Sequence, residues 1–439
     1  MPTEILRAIL SYIHAKPDLW GLSLTSRRLR NVTTEFLYAN YHYNHTYKPL
    51  DEDTSYNDPC LLLRTLSKKP GLARLLKSVS LGYTRANDFL FWCDGALESL
   101  GIKDLGVKIR EMSEVKALLP DAATQGFEDI FVALLLLTPN VENLSLQLPR
   151  YEGSSRGQKI LELLASAVLA AKTPRFHKFQ RLKSLSLQFG SKAKVGQAPD
   201  ISAILRIPTL TNLNLIYVNI EDNLTTWTDT EGSSAVKQLS IVKPYFGPAR
   251  WHSFLRNFKQ LEGLHVWFSG ETVTSAQNAL YQFDRFIRTL QIHQDTLTWL
   301  HLQGPTRISI PDHHIQPSLR AFHKLKRLTL DSHMLWLNDW MCQGRAAPLV
   351  WTTLEPFIPS TLQELQIYYH PHTDSLKYPM AEQFPTVGQW RSLIQTKQFP
   401  NLRRVLVFYA RFLGKDYRWE IGAGVSWSRD GPLTSTLDE

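Results

Sequence analysis

Two histidine pairs are the first residues whose type and spacing suit chemistry, His313-His314 and His370-x-His372. Imidazoles this close in the chain could begin a zinc site. Such a site needs three or four ligands, and no third ligand accompanies either pair. They read as surface histidines, and no metal is assigned. The Gly-Ala-Gly run at 422–424 lacks the strand-turn-helix setting in which a glycine-rich loop cradles phosphate, so it reads as a turn. There is no Walker motif and no His-Glu-x-x-His. A Ser-His-Asp set needs no proximity in the chain, so the sequence leaves that one open. Cys60, Cys93 and Cys342 are odd in number and far apart. That fits neither a disulfide framework nor a zinc finger, and suits a reducing compartment. No cofactor is assigned.

Recognition is the other chemistry on offer, and its residues are placed by a repeated element. An apolar-x-x-apolar-x-apolar hexamer recurs as LKSVSL (76–81), VENLSL (141–146), LKSLSL (182–187), LTNLNL (210–215) and VKQLSI (236–241). It continues as LEGLHV (261–266), LTWLHL (297–302), LKRLTL (325–330), LQELQI (362–367) and LRRVLV (402–407). An eleventh match, Ile102-Leu105-Val107, is set aside because of its glycines and poor surroundings. The last two apolar residues of a hexamer stand two apart and therefore share one face of a strand. Helical or irregular segments lie between, at 127–140, 157–172, 248–260 and 279–296. A strand, a return segment and a strand again is the logic of a leucine-rich-repeat-like solenoid, whose units bury their stripes only against neighbours. Uneven spacing and a mostly missing asparagine ladder make it irregular. The alternative is a conventional α/β sheet. The fold class expected is α/β: a three-helix N-terminal unit, then a solenoid with a mostly parallel curved sheet.

Parity then assigns a recognition face. With the hexamer pairs inward, the residues between and beside them point to the open face. In the early strands these are mild, such as Ser145, Ser186 and Asn214. Later they become His265, Trp267, Trp299, His301, Arg327, Tyr368 and Arg404. Aromatic and Arg side chains anchor interfaces. The substrate-binding candidates are Trp267, Trp299, Arg327, Tyr368 and Arg404. The competing reading is that loops or the aromatic tail at 417–433 cover them as core.

The opening, MPTEILRAILSYI followed by DLWGLSLTSRRLRNVTTEFLY, reads as three short helices. Ile5, Leu6, Ile9, Leu10 and Ile13 share one helical face. Pro17 closes the first helix, a second covers Asp18 to Leu22, and Thr25 or Ser26 caps a third that carries Leu29, Val32 and Phe36. About forty residues bury little core alone. Pro2, Glu4, Ile5, Ile9, Leu22, Leu24, Ser26, Arg27, Arg28 and Leu29 match the start, apolar helix and L-x-x-S-R run of an F-box, with Met1 where Leu is usual. The stretch resembles that family over about its first 40 residues. The remainder is similar in organisation to the divergent leucine-rich-repeat-like domains of filamentous-fungal F-box proteins.

The resemblance implies docking on a Skp-family adaptor through Pro2, Ile5, Ile9, Leu22 and Leu24, and through it on a cullin–RING complex. It further implies a protein substrate held by the repeats for ubiquitin transfer, no catalytic residue in this chain, and a cytoplasmic and/or nuclear location. The divisions expected are 1–45 F-box, 46–75 linker and connecting helix, 76–411 solenoid and 412–439 cap or tail. A plain helical cap is the competing reading of the opening, and the polar connector 43–59 speaks against it. Neither a signal peptide nor a membrane span is expected, since the longest apolar run is Ile130 to Leu137. The net charge of +9 would suit nucleic acid, but the basic residues are scattered, so that partner is disfavoured.

Overall fold

The computed structural model describes residues 1–13, 15–44, 59–82, 127–148, 160–161, 163–164, 179–189, 201–218, 232–244, 248–268, 285–304, 318–331, 357–369, 399–412 and 415–422. The chain divides into two compact units, Met1–Leu215 and Ile216–Glu439.

In the first unit, α1 (Thr3–Leu10), α2 (Lys16–Thr25) and α3 (Arg27–Ala39) precede β1 (Asn40–Asn44). Pro2 stands at the N-cap of α1 rather than inside it, and Pro17 opens α2, which is longer than the sequence suggests. Ser26 caps α3 by accepting from the Leu29 N–H at 3.1 Å. Leu6, Leu10, Leu19 and Val32 form a small core, with Ile13, Leu22, Leu29, Phe36 and Leu37 packed against it. The Arg7 guanidinium forks onto the Glu35 carboxylate at 2.9 and 2.7 Å, tying α1 to α3. That hydrogen bond holds the Glu35 carboxyl below its usual range.

Next come α4 (Pro59–Lys68), α5 (Pro70–Ala73), β2 (Ser78–Gly82), α6 (Phe127–Leu137), β3 (Asn143–Gln147), β4 (Ser184–Gln188), α7 (Ser202–Leu205) and β5 (Asn212–Ile216). The second unit holds β6 (Gln238–Val242), α8 (Pro248–Leu255), β7 (Gly263–Trp267), β8 (Trp299–Gln303), β9 (Arg327–Asp331), β10 (Glu364–Tyr369), β11 (Arg404–Phe412) and β12 (Lys415–Gly422). Strand order follows chain order, β1 to β5 in the first unit and β6 to β12 in the second.

All ten hexamers are strands, and the pairings between them are parallel. The expected mostly parallel α/β sheet is therefore present. Two strands lie outside the pattern. β1 pairs parallel with β2, and β12, in the segment expected as cap or tail, pairs antiparallel with β11. β1 corrects the argument from the polar connector: the helical unit runs straight into a sheet strand, and the Lys77 N–H donates to the Ala39 carbonyl at 2.8 Å. The set-aside match at 102–107 lies outside the described residues.

The repeat has a simple physical basis. All three apolar positions of the hexamer are buried in nine strands, and the first two are in the tenth; Leu264, Leu300 and Leu328 have no exposed surface. The second residue's carbonyl then accepts two N–H groups from the next repeat. The Lys77 carbonyl takes Glu142 and Asn143, that of Glu142 takes Lys183 and Ser184, and that of Lys326 takes Gln363 and Glu364. Threonines reinforce this, as where the Thr361 hydroxyl donates to the Leu325 carbonyl at 3.0 Å and Thr298 to Glu262 at 2.9 Å. Such bonds supply what an asparagine ladder would.

Parity gives a direct test. Leu328→Ala removes a fully buried side chain and is expected to cost about 2–5 kcal/mol in urea denaturation. Arg327→Ala, one residue away and exposed, is expected to change stability by no more than about 0.5 kcal/mol.

Candidate functional site

Each unit presents one surface with unusual chemistry. On the helices, the five apolar residues expected on one face of α1 divide. Leu6 and Leu10 are buried, whereas Ile5 and Ile9 are about half exposed, at 48% and 49%. Helical spacing carries that outer stripe on toward exposed Tyr12, and α2 adds exposed Trp20 and Leu24, with Met1 nearby in sequence. Six exposed large apolar side chains on so small a unit exceed what scattered surface residues account for. Of the residues the F-box resemblance singles out, Ile5, Ile9 and Leu24 are exposed, as is Pro2, whose carbonyl accepts from Leu6 at 3.2 Å. Leu22 is half-buried, packed against the core. Arg28 donates to the Met1 carbonyl, which pins the chain start against α3. Tyr12 and Trp20 are surface members the motif does not include. Trp20 is exposed because of which stripe of α2 meets α3, and Tyr12 stands in the turn just after α1; spacing alone fixes neither.

In the second unit the open face is three columns wide. Register places Ser240, His265, His301, Thr329, Gln366 and Leu406 in the central column. Trp299, Arg327, Glu364 and Arg404 line one end of the strands, and Trp267, Gln303, Asp331 and Tyr368 the other. The His265 and His301 rings stack with centroids 4.3 Å apart, and His301 stacks on Tyr368 at 5.7 Å. Trp299 stands edge-on to His301 at 6.2 Å. Gly263 makes room for that indole: a Cβ there would clash with Gln238 and come within 2.9 Å of Trp299 Cε3. Arg404 lies 3.7 Å from the Glu364 carboxylate. The structure thus joins Trp299 and Tyr368 through His301, pairs Arg404 with Glu364, and leaves Arg327 exposed between them.

Trp267 belongs to a different group. It is 39% exposed, and the Lys243 ammonium sits 5.6 Å from its ring centroid and 5.2 Å from that of Tyr217. Lys243 and Tyr217 stand just beyond their strands with left-handed backbones, φ 53° and 58°. Neither residue is in the hexamer, and a left-handed conformation at a non-glycine leaves no trace in composition, so sequence reasoning passes over both.

The face is not open throughout. Thr329, Asp331 and Leu406 point away from the hexamer's apolar pairs, yet all three are buried. The parity expectation of a uniformly exposed face therefore fails at β9 and β11.

One arrangement resembles a catalytic pair. Ser240 Oγ lies 3.0 Å from His265 Nδ1, the separation of a nucleophile and its base. Its surroundings oppose that use. Burial lowers the His265 pKa, and burial with the neighbouring His265 lowers that of His301 to about 3. A proton taken up here would meet a second imidazole rather than a carboxylate. The Nε2 atoms of both rings are buried without a hydrogen-bond partner among the described residues, so no group orients His265 as a base. Among the described residues no His/Cys/Asp/Glu group could hold a metal ion. His313-His314, His370-x-His372, Cys93 and Cys342 lie outside the described residues, as does the Gly-Ala-Gly run beyond Gly422.

No protein-family model matches the chain, and no curated protein matches it.

The neutral histidines carry a pH signature. An unfolded imidazole titrates near 6.5, and His301 in the fold near 3. Between those values the unfolded chain binds more protons, so stability present above pH 6.5 is lost as pH falls through the window. The loss is at most about 1.4 kcal/mol per pH unit for this residue. In urea denaturation at pH 7 and pH 4.5, His301→Phe, which keeps the stacking, is expected to lose less stability than the parent. Equal losses would place His301 outside this effect.

Proposed function

We propose that this chain is the substrate-recognition subunit of a Skp–cullin–F-box ubiquitin ligase, acting in the cytoplasm and/or nucleus. In this reading α1 and α2 dock on a Skp-family adaptor and the strand face of the second unit holds a protein substrate. No catalytic step is assigned to the chain, which works by holding a substrate near the transfer machinery and so raising its effective concentration.

The observation that supports the reading most is the apolar surface of the helical unit. Met1, Ile5, Ile9, Tyr12, Trp20 and Leu24 are exposed beside a small core that, among the described residues, consists of buried Leu6, Leu10, Leu19 and Val32. Burying apolar surface is the main driving force of association, and a partner that covers this stripe would also complete a marginal fold. The F-box resemblance assigns Pro2, Ile5, Ile9, Leu22 and Leu24 to the contact; Pro2, Ile5, Ile9 and Leu24 are exposed, and Leu22 is half-buried against the small core. A helical cap for the sheet accounts for the contact between Ala39 and Lys77 but leaves the outer stripe of α1 unexplained. A scaffold that binds the adaptor without directing ubiquitination would use the same surface.

Purified full-length chain mixed with a purified Skp-family adaptor tests the docking. The wild type is expected to co-elute in size-exclusion chromatography. Ile5→Asp with Leu24→Asp places charges in the interface and is expected to weaken binding by about 2–5 kcal/mol, enough to abolish co-elution. Both positions are exposed, so folding should be retained, as circular dichroism would report. Co-elution of the folded double variant would overturn the docking assignment.

A further inference from the structure

We propose that the group formed by Lys243, Tyr217 and Trp267, together with Arg327, binds an extended acidic peptide segment carrying two carboxylate clusters about six or seven residues apart. The proposal rests on the reading that the strand face of the second unit holds a protein partner, and it names the chemistry of that partner.

The first observation is backbone strain in the right place. Tyr217 and Lys243 both adopt left-handed φ values, a conformation that non-glycine residues take at a cost and that clusters at ligand clamps. The Tyr217 N–H donates to the Val242 carbonyl at 2.8 Å, and the Lys243 N–H to the Trp267 carbonyl at 2.6 Å. These bonds hold each residue in its turn just past the strand end. The turn brings the Lys243 ammonium between two aromatic rings, where it donates one hydrogen bond to the Tyr217 hydroxyl at 3.3 Å. An ammonium has three N–H groups, so two remain for an acceptor. Trp267 beside it presents exposed aromatic surface for an apolar neighbour of that acceptor.

The second observation is charge. Among the described residues of β6 to β10 and the turn after β6, with Arg404 at the start of β11, the charged side chains on this face are Lys243, Arg327, Arg404, Glu364 and Asp331. Arg404 and Glu364 form an ion pair, and Asp331 is buried. His265 and His301 are held neutral. The accessible charge is therefore positive and resides at Lys243 and Arg327. Complementary anions would be drawn to it.

Geometry chooses between anions. Lys243 follows β6 at one end of the strands and Arg327 opens β9 at the other. Three strand spacings of roughly 4.8 Å and five residues of roughly 3.3 Å separate them, a diagonal of about 22 Å. Extended chain covers that in about six or seven residues. Two single cations so far apart cannot share one phosphate dianion, whereas two carboxylates on one extended segment satisfy both. The segment would pass over His265 and His301, whose stacked rings carry no charge.

The experiment is fluorescence anisotropy with the full-length chain and no adaptor, so its outcome is separate from that of the co-elution test. The probe is a fluorescein-labelled 14-residue peptide with two Glu pairs six residues apart and a Leu beside the first. A matched peptide with Gln for every Glu, one with a single phosphoserine and no Glu, and a 14-nucleotide single-stranded oligonucleotide are compared. The Glu peptide is expected to bind at least tenfold more tightly than the other three, and to weaken as salt is raised. Lys243→Met and Arg327→Gln are each expected to weaken it about tenfold. Lys243→Gly relieves the left-handed backbone, so it should keep the melting temperature of the parent while losing the peptide, a combination that a purely structural lysine would not produce. Equal binding of Glu and Gln peptides would overturn the proposal. So would unchanged binding by Lys243→Gly, or preference for the phosphopeptide or oligonucleotide.

Discussion

The constraint on which the rest of this protein depends is the doubly used carbonyl at the second position of the hexamer, as at Lys77, Glu142, Lys183, Lys237, Glu262, Thr298, Lys326 and Gln363. It accepts the N–H groups of the second and third residues of the following repeat, and so fixes where each strand begins relative to its neighbour. A one-residue slip would turn the apolar pair outward and every face residue inward. The register is thus set twice, by the backbone acceptor and by buried Leu, Ile and Val side chains. Because Leu264↔Leu300↔Leu328↔Leu365 stand in line, His265, His301, Thr329 and Gln366 must stand in line on the other face. The histidine stack is a consequence of a backbone rule.

That rule also explains how an irregular chain can carry a regular sheet. The segments between strands differ widely in length and composition, yet the turn entering each strand recurs. Leu76 bonds back to Ala73, Leu182 to Phe179, Leu210 to Ile207, Leu325 to Phe322 and Leu402 to Phe399. Polar side chains before the hexamer reach the previous repeat, as Asn401 does to Ser360 and Thr361 to Leu325. Asn257 satisfies the end of α8 from within the core. Local chemistry at the strand entrance is kept, and everything between is free to vary.

The helical unit obeys a different economy. α3 continues into β1, so the unit is anchored to the first strand pair, with Lys16 donating to the Asn40 carbonyl at 3.0 Å and Lys77 to Ala39. Burial lowers the Lys16 pKa, a sign that the anchor is partly desolvated. Anchoring fixes one side of the bundle and commits Leu6, Leu10, Leu19 and Val32 to its core. The opposite side of α1 keeps its apolar residues in water.

The sequence by itself determined the repeating strand, its inward pair and hence the class of the fold, because period-two burial is written directly in residue type. It also placed three helices at the chain start, although their limits shifted by a few residues because Pro17 opens the second helix rather than closing the first. β1 and β12 were not legible, since NYHYN and KDYRWEIG lack the hexamer and owe their strand form to a neighbouring edge. Tertiary structure alone decided which of Ile5, Leu6, Ile9 and Leu10 face water, because helical periodicity marks an apolar stripe without saying which half meets a partner helix. It alone decided that Leu22 is half-buried against the small core, that Thr329 and Asp331 are buried on a face parity leaves open, and that the Lys243 ammonium lies over the rings of Tyr217 and Trp267. Those outcomes depend on neighbours distant in the chain and on backbone angles, and neither is encoded in the identity of a single residue.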